Sequence, residues 1–375
     1  MKIKKIAKRL LQIVVTLIVF IVVSIFMIKY FNPSIGRPPQ AEKINSPNFD
    51  GKVFINPVPT SAGSLGDMPG IMKDYISRKE ESAPDSSYLF SESGERDSLG
   101  NGTTHVNWLG HAAVLIENSG KYVLLDPMLG ERASPFSFMG PKRYHPSPIA
   151  PKDLPEIEAV IISHDHYDHL DYETIQLIHP KVKIFLVPLG IGATLKYWGV
   201  PEVKIKEMDW HDTHKSGQFE FIATPARHFS GRFLTRNNTL WASWVINIGE
   251  EKIYFGGDTG IFNGFADIGK QYGPFDLSLL PIGAYNEAWH DIHMNPEEAI
   301  DAFGQLDRGL FIPIHWGTFD LALHSWYEPV KQLVDSEDLA NEELITPRPG
   351  EWIDYRTYQS DHLWWKPYSK ELSKD

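Results

Sequence analysis

Between Ser163 and Asp171 the chain reads Ser-His-Asp-His-Tyr-Asp-His-Leu-Asp, setting His164, His166 and His169 among Asp165, Asp168 and Asp171. Imidazole and carboxylate at this density suit metal binding or acid–base hydrolysis. The chain contains no cysteine, which excludes disulfides and thiolate ligands, so any ion here is held by nitrogen and oxygen. Only 15 of the 375 residues are histidine, so three within six positions is not a consequence of composition. A lone histidine is usually a hydrogen-bonded core residue, but that account does not extend to H-x-H-x-D-H.

The flanking residues say how such a cluster is positioned. Ile157 to Ile162 is a short, β-branched run bounded by Pro155 and predicts a buried strand, while Asp171 caps a helix from Tyr172 to Ile178. On extended backbone His164 and His166 point the same way, and Asp168 and His169 follow in the turn, aimed from another direction. Three further apolar strands end in ligand-type residues. Phe219–Ala223 leads to His228, Lys252–Phe255 to Asp258 in Gly-Gly-Asp-Thr-Gly, and Leu310–Ile314 to His315. Each alone is weak; together they fill two coordination sets, His164/His166/His228 and Asp168/His169/His315, with Asp258 bridging. Two zinc ions would then lie about 3.5 to 4 Å apart, and manganese or iron also suits this donor set. Other predicted strands are Val106–Leu109, Ala113–Ile116, Lys121–Leu125, Lys183–Val187, Val203–Glu207, Trp241–Ile248 and Leu277–Pro281. Short helices are expected at Gly192–Trp198, after the Asn295 cap and at Ile71–Arg78, so the class is α/β. The unpatterned loop Met128–Pro151 carries Phe136, Phe138, Met139, Lys142, Arg143 and Tyr144 and suits a lid over a substrate.

A composition of 42% hydrophobic and 12% aromatic residues describes a folded chain with a sizeable core, and a net charge of −12 excludes a nucleic-acid binder, which needs a basic face. The one basic cluster, Lys2, Lys4, Lys5, Lys8 and Arg9, precedes an apolar stretch from Leu10 to Ile28 broken only by Gln12, Thr16 and Ser24. That is long enough to span a bilayer, and no small-x-small cleavage site follows it. The charge asymmetry sets the N-terminus inside. The expected organisation is a cytoplasmic basic segment at 1–9, a transmembrane anchor at 10–28 and a Pro/Gly/Ser-rich tether and wrap at 29–101. A catalytic domain follows at 102–358, outside the cytoplasm, and then a polar tail at 359–375.

H-x-H-x-D-H with a later histidine, a G-D-T aspartate and a final histidine after a strand resembles the metallo-β-lactamase superfamily. Within it the chain is most similar to the N-acyl-phosphatidylethanolamine-hydrolysing phospholipase D family. Trp108-Leu109-Gly110-His111-Ala112, Met139-Gly140-Pro141-Lys142-Arg143, Phe275 to Tyr285, Asn295 to Ala299 and His315-Trp316-Gly317-Thr318-Phe319 carry that closer likeness. The resemblance implies an αββα sandwich with a dinuclear site at one edge, the same seven ligands, and His293 near the reacting phosphate. It also implies catalytic roles for Asp168 and Asp258, with Phe136, Phe138, Lys142, Arg143 and Tyr285 beside the substrate. The chain departs from the family at Ser137-Phe138 and at Asn286-Glu287-Ala288-Trp289-His290, which flank the substrate. The implied reaction is phosphodiester hydrolysis of a phospholipid by a metal-bridging hydroxide, with His293 or water protonating the leaving group. Asp165 and Asp171 are expected to support ligating histidines, and Glu287, Glu297 and Glu298 to be solvated. The same site on a lactone, β-lactam or sugar phosphate is the alternative, and a non-catalytic anchored binding protein a more distant one. A reporter fused after Asp375 should be active outside the cytoplasm; activity only in the cytoplasm would reverse the topology.

Overall fold

The computed structural model describes residues 2–64, 66–85 and 102–374; the part of the expected tether at 86–101 lies outside them. The chain begins with α1 (Lys2–Phe31), whose apolar side chains face outward along its length, Leu11 and Phe20 being 64% and 68% exposed. Among the described residues it is the one helix long and apolar enough to cross a membrane. A second helix, α2 (Met68–Ser77), starts earlier than expected and buries nothing.

Two sheets follow. The first orders its strands as β13 (Trp352–Ile353), β1 (Thr104–Gly110), β2 (Ala113–Asn118), β3 (Lys121–Leu125), β4 (Ile157–Ile161), β5 (Val182–Pro188) and β6 (Ile205–Met208). β1 to β3 form an antiparallel meander, and β3 to β6 run parallel. The second sheet is β12 (Leu310–Ile314), β11 (Leu277–Pro281), β10 (Glu251–Phe255), β9 (Ser243–Ile248), β8 (Phe219–Thr224) and β7 (Thr213–Ser216). Its β10 to β12 are parallel and the others antiparallel.

The period of two along each strand divides the core. Val106, Val114, Ile116, Val123, Leu125 and Ile161 join the cluster shared with the second sheet. Their neighbours Leu109, Leu115, Leu124 and Val160 face α3 (Tyr172–Ile178) and α4 (Ile191–Tyr197). On the far side α5 (Gly264–Tyr272), α6 (Pro296–Gln305) and α7 (Glu328–Val334) complete the αββα layering. The polar edge strand β7 and the two-residue β13 escaped sequence reading because pairing partners recruit them, not their own pattern. Val203, expected in β6, lies in the preceding turn and is 92% exposed.

Both ends of the catalytic domain are held to it, the first in the wrap expected of the tether. Residues 32–64 form a strap: Asn32 Nδ2 donates to Pro135 O at 2.7 Å, Trp198 Nε1 to Pro33 O at 2.8 Å and Asn48 Nδ2 to Asp209 Oδ1 at 3.0 Å. Phe54 is wholly buried against Ala226, Leu240 and Trp241. The polar tail expected at 359–375 instead returns to the core, because Trp364 and Trp365 are large apolar surfaces worth burying. Trp364 Nε1 donates to Thr346 O, and Trp365 stacks on Tyr327. If the strap is integral to the fold, Phe54→Ala should cost about 3 to 5 kcal/mol in denaturant unfolding; a loss under about 1 kcal/mol would make it an ornament.

Candidate metal centre

Four strand ends converge at one edge of the sandwich: the turn after β4, the segments after β8 and β10, and the residue directly after β12. There the donor atoms of His164, His166, Asp168, His169, His228, Asp258 and His315 meet. His164 Nε2 and His166 Nδ1 are 2.8 Å apart, and His228 Nε2 is 3.4 Å from His166 Nδ1. On the other side His169 Nε2 and His315 Nε2 each lie 3.5 Å from Asp168 Oδ2. Asp258 sits between the two sets. Its Oδ2 is 3.8 Å from both His164 Nε2 and His228 Nε2 and 3.1 Å from His169 Nε2, while Oδ1 is 3.1 Å from His315 Nε2. Ligand atoms around one tetrahedral zinc are separated by roughly 3.3 Å, so this spacing suits ions of that size.

Backbone geometry holds the cluster. His315, His111, Asp126 and Ala284, all beside the donors, adopt positive φ values of 63°, 56°, 36° and 63°, a region that few non-glycine residues enter. His315 N donates to His111 O, and His111 N to Thr318 Oγ1 at 2.7 Å, so each strained residue is fixed by the other loop. Gly257 is required beside Asp258: at φ 57° a Cβ there would come within 2.5 Å of Ser163 Cβ.

The outer nitrogens of the histidines are also held. His169 Nδ1 is 2.7 Å from Asp126 Oδ2, His164 Nδ1 is 2.9 Å from Ser163 Oγ, and His228 Nδ1 donates to Ile292 O at 3.0 Å. The expected supports Asp165 and Asp171 do neither of these things. Asp165 Oδ1 accepts from Gly231 N, and Asp171 caps α3 by accepting from Thr174 N. Sequence reading missed Asp126 and His111. Asp126 stands at the end of β3, the same strand-end position as the other donors, which was the available signal. His111 Nε2 reaches Asp168 Oδ2 at 3.0 Å, and its place in a Gly-His turn hid it. Glu298 is no solvated carboxylate: it closes a capping box with Asn295.

The electrostatics fit a cation. Burial pushes His164 and His228 well below the ordinary imidazole range, leaving neutral nitrogens ready to coordinate. Burial also pushes down on His315, but Asp258 and Asp168 outweigh it and hold it up at about 9. Burial raises Asp258, yet His169 and His315 outweigh that and keep it well below the usual carboxylate range. Buried carboxylates that must borrow protonated imidazoles as counterions define a place where divalent cations belong. Asp258 Oδ1, His169 Nε2 and His315 Nε2 have no hydrogen-bond partner, as inward-facing ligand atoms would not.

A cavity of about 250 Å³ opens over these donors, walled by Phe229, Trp289, Ile292 and Leu321, with His293 and strap residue Ala62 at its edge. His293 Nδ1 is 3.9 Å from Asp258 Oδ2. The five residues expected beside the substrate are elsewhere. Lys142 pairs with Glu131 on the surface, Tyr285 OH donates to Glu328 Oε1, and Phe136 and Phe138 pack on each other. Arg143 is drawn inward to donate to Leu109 O and to lie over the Phe319 ring, which removes it from any substrate phosphate. The loop Met128–Pro151 runs beside the cavity and lines none of it, pinned by Asn32 at Pro135 and by Tyr144 OH donating to Ser82 O.

Residues 121–316 match the model of the beta-lactamase superfamily domain. The chain belongs to the metallo-β-lactamase superfamily. It is 43% identical over 331 residues to an uncharacterised protein of Mycobacterium tuberculosis, covering 86% of this chain and 88% of that one. It is 35% identical over 340 residues to N-acyl-phosphatidylethanolamine-hydrolyzing phospholipase D 1 of Caenorhabditis elegans, covering 83% and 94%. Among solved structures the fold matches Igni18, a metallo hydrolase of Ignicoccus hospitalis, with a TM-score of 0.51 and 21% identity over 67% of this chain and 97% of that one. It also matches an isothiocyanate hydrolase from Delia radicum gut bacteria, with a TM-score of 0.53 and 20% identity over 66% and 98%. With the superfamily fold and its hydrolase relatives, the chain is a metal-dependent hydrolase.

Asp258→Asn should lower metal content from about two ions per chain and remove most activity. Asp126→Asn should weaken metal binding about 10- to 100-fold while leaving the fold intact. Elemental analysis finding one ion or none in the zinc-supplemented parent protein would overturn the dinuclear arrangement.

Proposed function

We propose that this protein is a membrane-anchored dinuclear zinc phosphodiesterase of phospholipase D type, acting on (N-acyl)phosphatidylethanolamine-like lipids. The observation that carries the reading is the 35% identity to the nematode phospholipase D over 83% of this chain, joined to the donor cluster and the apolar cavity above it. His164, His166 and His228 would hold one ion, Asp168, His169 and His315 a second, with Asp258 within reach of both sets. Ions bound there supply Lewis acidity and a water acidified toward neutral pH.

The chain's own groups do the rest. Asp168, fixed by His111, orients the attacking water and takes its proton. Burial pushes His293 down to about 4, so at neutral pH its free nitrogen can accept the proton that Asp168 takes from the water while its N–H proton goes to the leaving oxygen, which closes the proton balance. Phe229, Trp289, Ile292 and Leu321 keep bulk water from the phosphorus and accept the apolar part of a lipid. Trp289 falls in the stretch where the sequence departs from the phospholipase D pattern, so it bears on which acyl group is preferred.

Helix α2 supports a lipid substrate. Met68, Ile71, Met72, Tyr75 and Ile76 fall at i, i+3, i+4, i+7 and i+8, one apolar stripe, and four of them are 48% to 78% exposed. The helix follows directly on the strap segment at the cavity mouth, where Gly63 approaches Ala288. Such a stripe seats on a bilayer surface, and α1 keeps that bilayer near, with the catalytic domain outside the cytoplasm.

The full-length protein in detergent should hydrolyse a chromogenic phosphodiester and leave a lactone and a β-lactam intact; turnover of either of the latter in preference to the diester would transfer the site to another substrate class. Met72→Ser combined with Ile76→Ser should lower the rate on phospholipid vesicles about tenfold or more and leave a soluble short-chain diester unaffected. Equal rates on vesicles for variant and parent would remove α2 from lipid contact.

A further inference from the structure

A second cavity, larger than the hydrolytic one at about 360 Å³, lies where α1 meets the domain. Lys29, Tyr30, Ile35 and Arg37 form one side, and Arg232 and Leu234 belong to the other. It shares no lining residue with the cavity over the metal donors. Most of its surface is apolar, and Leu234 stands at it 72% exposed.

Its charges are unequal. Asp165 is the one acidic residue that lines it, against Lys29, Arg37 and Arg232. Arg232 is 4% exposed and makes no ion pair among the described residues; Nη1 donates to Asp165 O and Leu170 O, Nη2 to Ser34 O, and Nε has no partner. Arg37 Nη1 rests on Lys29 O, the carbonyl end of α1, with its guanidinium over the Tyr197 ring. The buried Arg232 guanidinium is met by carbonyls and by the faces of Tyr167 and Trp198, with no carboxylate paired to it among the described residues. Lys29 and Tyr30 close the apolar span, so with α1 in a bilayer the cavity opens at headgroup level.

The geometry points to a binding site for an anionic phospholipid of the host bilayer, one acyl chain in the apolar cavity and the phosphate at Lys29 and Arg37. The charge excess selects an anionic over a zwitterionic headgroup, and the apolar volume separates a lipid from free phosphate. The site is one of retention and not of turnover, since the metal donors belong to the other cavity. It rests on α1 being the anchor and is independent of phosphodiester chemistry.

The test is calorimetric titration of the full-length protein in nonionic detergent with dioctanoyl phosphatidylglycerol, dioctanoyl phosphatidylcholine and glycerol 3-phosphate. Phosphatidylglycerol should bind about tenfold more tightly than either of the others. Lys29→Glu with Arg37→Glu should weaken it about tenfold without changing the hydrolysis rate on a soluble diester. Leu234→Trp, which obstructs the apolar volume and leaves the charges alone, should do the same and decides the matter if the double variant does not fold. Equal binding of the two lipids, full competition by glycerol 3-phosphate, or undiminished affinity in the folded variants would overturn the site. Loss of diester hydrolysis with lipid selectivity retained would instead count against the catalytic reading alone.

Discussion

Asp258 is buried among imidazoles from four different segments of the chain, and the cost of placing that carboxylate out of water governs the architecture around it. An uncompensated anion in such a place would cost several kcal/mol. Burial opposes charge on His169 and His315, yet the surrounding carboxylates, Asp258 first, outweigh it and hold both imidazoles above their ordinary range. Because the donors approach within 2.8 to 3.8 Å of one another, small errors in strand position would matter. Two sheets with a common, tightly packed interior supply that accuracy: His315 directly follows β12, Asp258 and His228 come soon after β10 and β8, and the turn that carries His164 to His169 opens just past β4.

The supports behind the donors are as specific as the donors. Asp126 accepts from His169 and also from Ser163 N at 2.6 Å, so one buried carboxylate orients both a histidine and the start of the His164 turn. Asn56 of the strap brackets the His228 backbone, donating to its carbonyl and accepting from its amide. Arg227, next to His228, donates to Pro59 O and pairs with Asp291, whose Oδ2 accepts from Ser61 N. The strap therefore sets one wall of the site, and the chain leaving α1 is joined mechanically to the chemistry at His228.

The positions of the cationic and aromatic residues follow from competition between burial and solvation. Arg143 follows Lys142 in sequence, yet only Arg143 is buried: its Nη2 donates to Leu109 O and its guanidinium lies over the Phe319 face, while Nε and Nη1 have no hydrogen-bond partner among the described residues. Lys142, a compact ammonium, remains in water beside Glu131. Trp364 and Trp365 are pulled into the core from a terminal stretch that is otherwise polar, for the area they remove from water.

The sequence by itself determined the α/β class, most strands and the strand-end places at which the histidines and aspartates gather, since strand-end histidines and β-branched runs are local patterns read directly from residue order. Asp171 as a cap and Asn295 with Glu298 as a helix start were legible for the same reason. Tertiary structure alone decided which other residues joined them. Asp126 showed only its strand-end position, and its partner His169, 43 positions on, came with the parallel pairing of β3 and β4; His111, 57 positions from Asp168, had no local pattern to mark it. Of the residues expected beside the substrate, Lys142, Arg143 and Tyr285 have nearer partners once the loops are placed, Glu131, Leu109 O and Glu328. Phe229, Trp289, Ile292 and Leu321 took the cavity because three loops, far apart in sequence, close over the same edge of the sandwich.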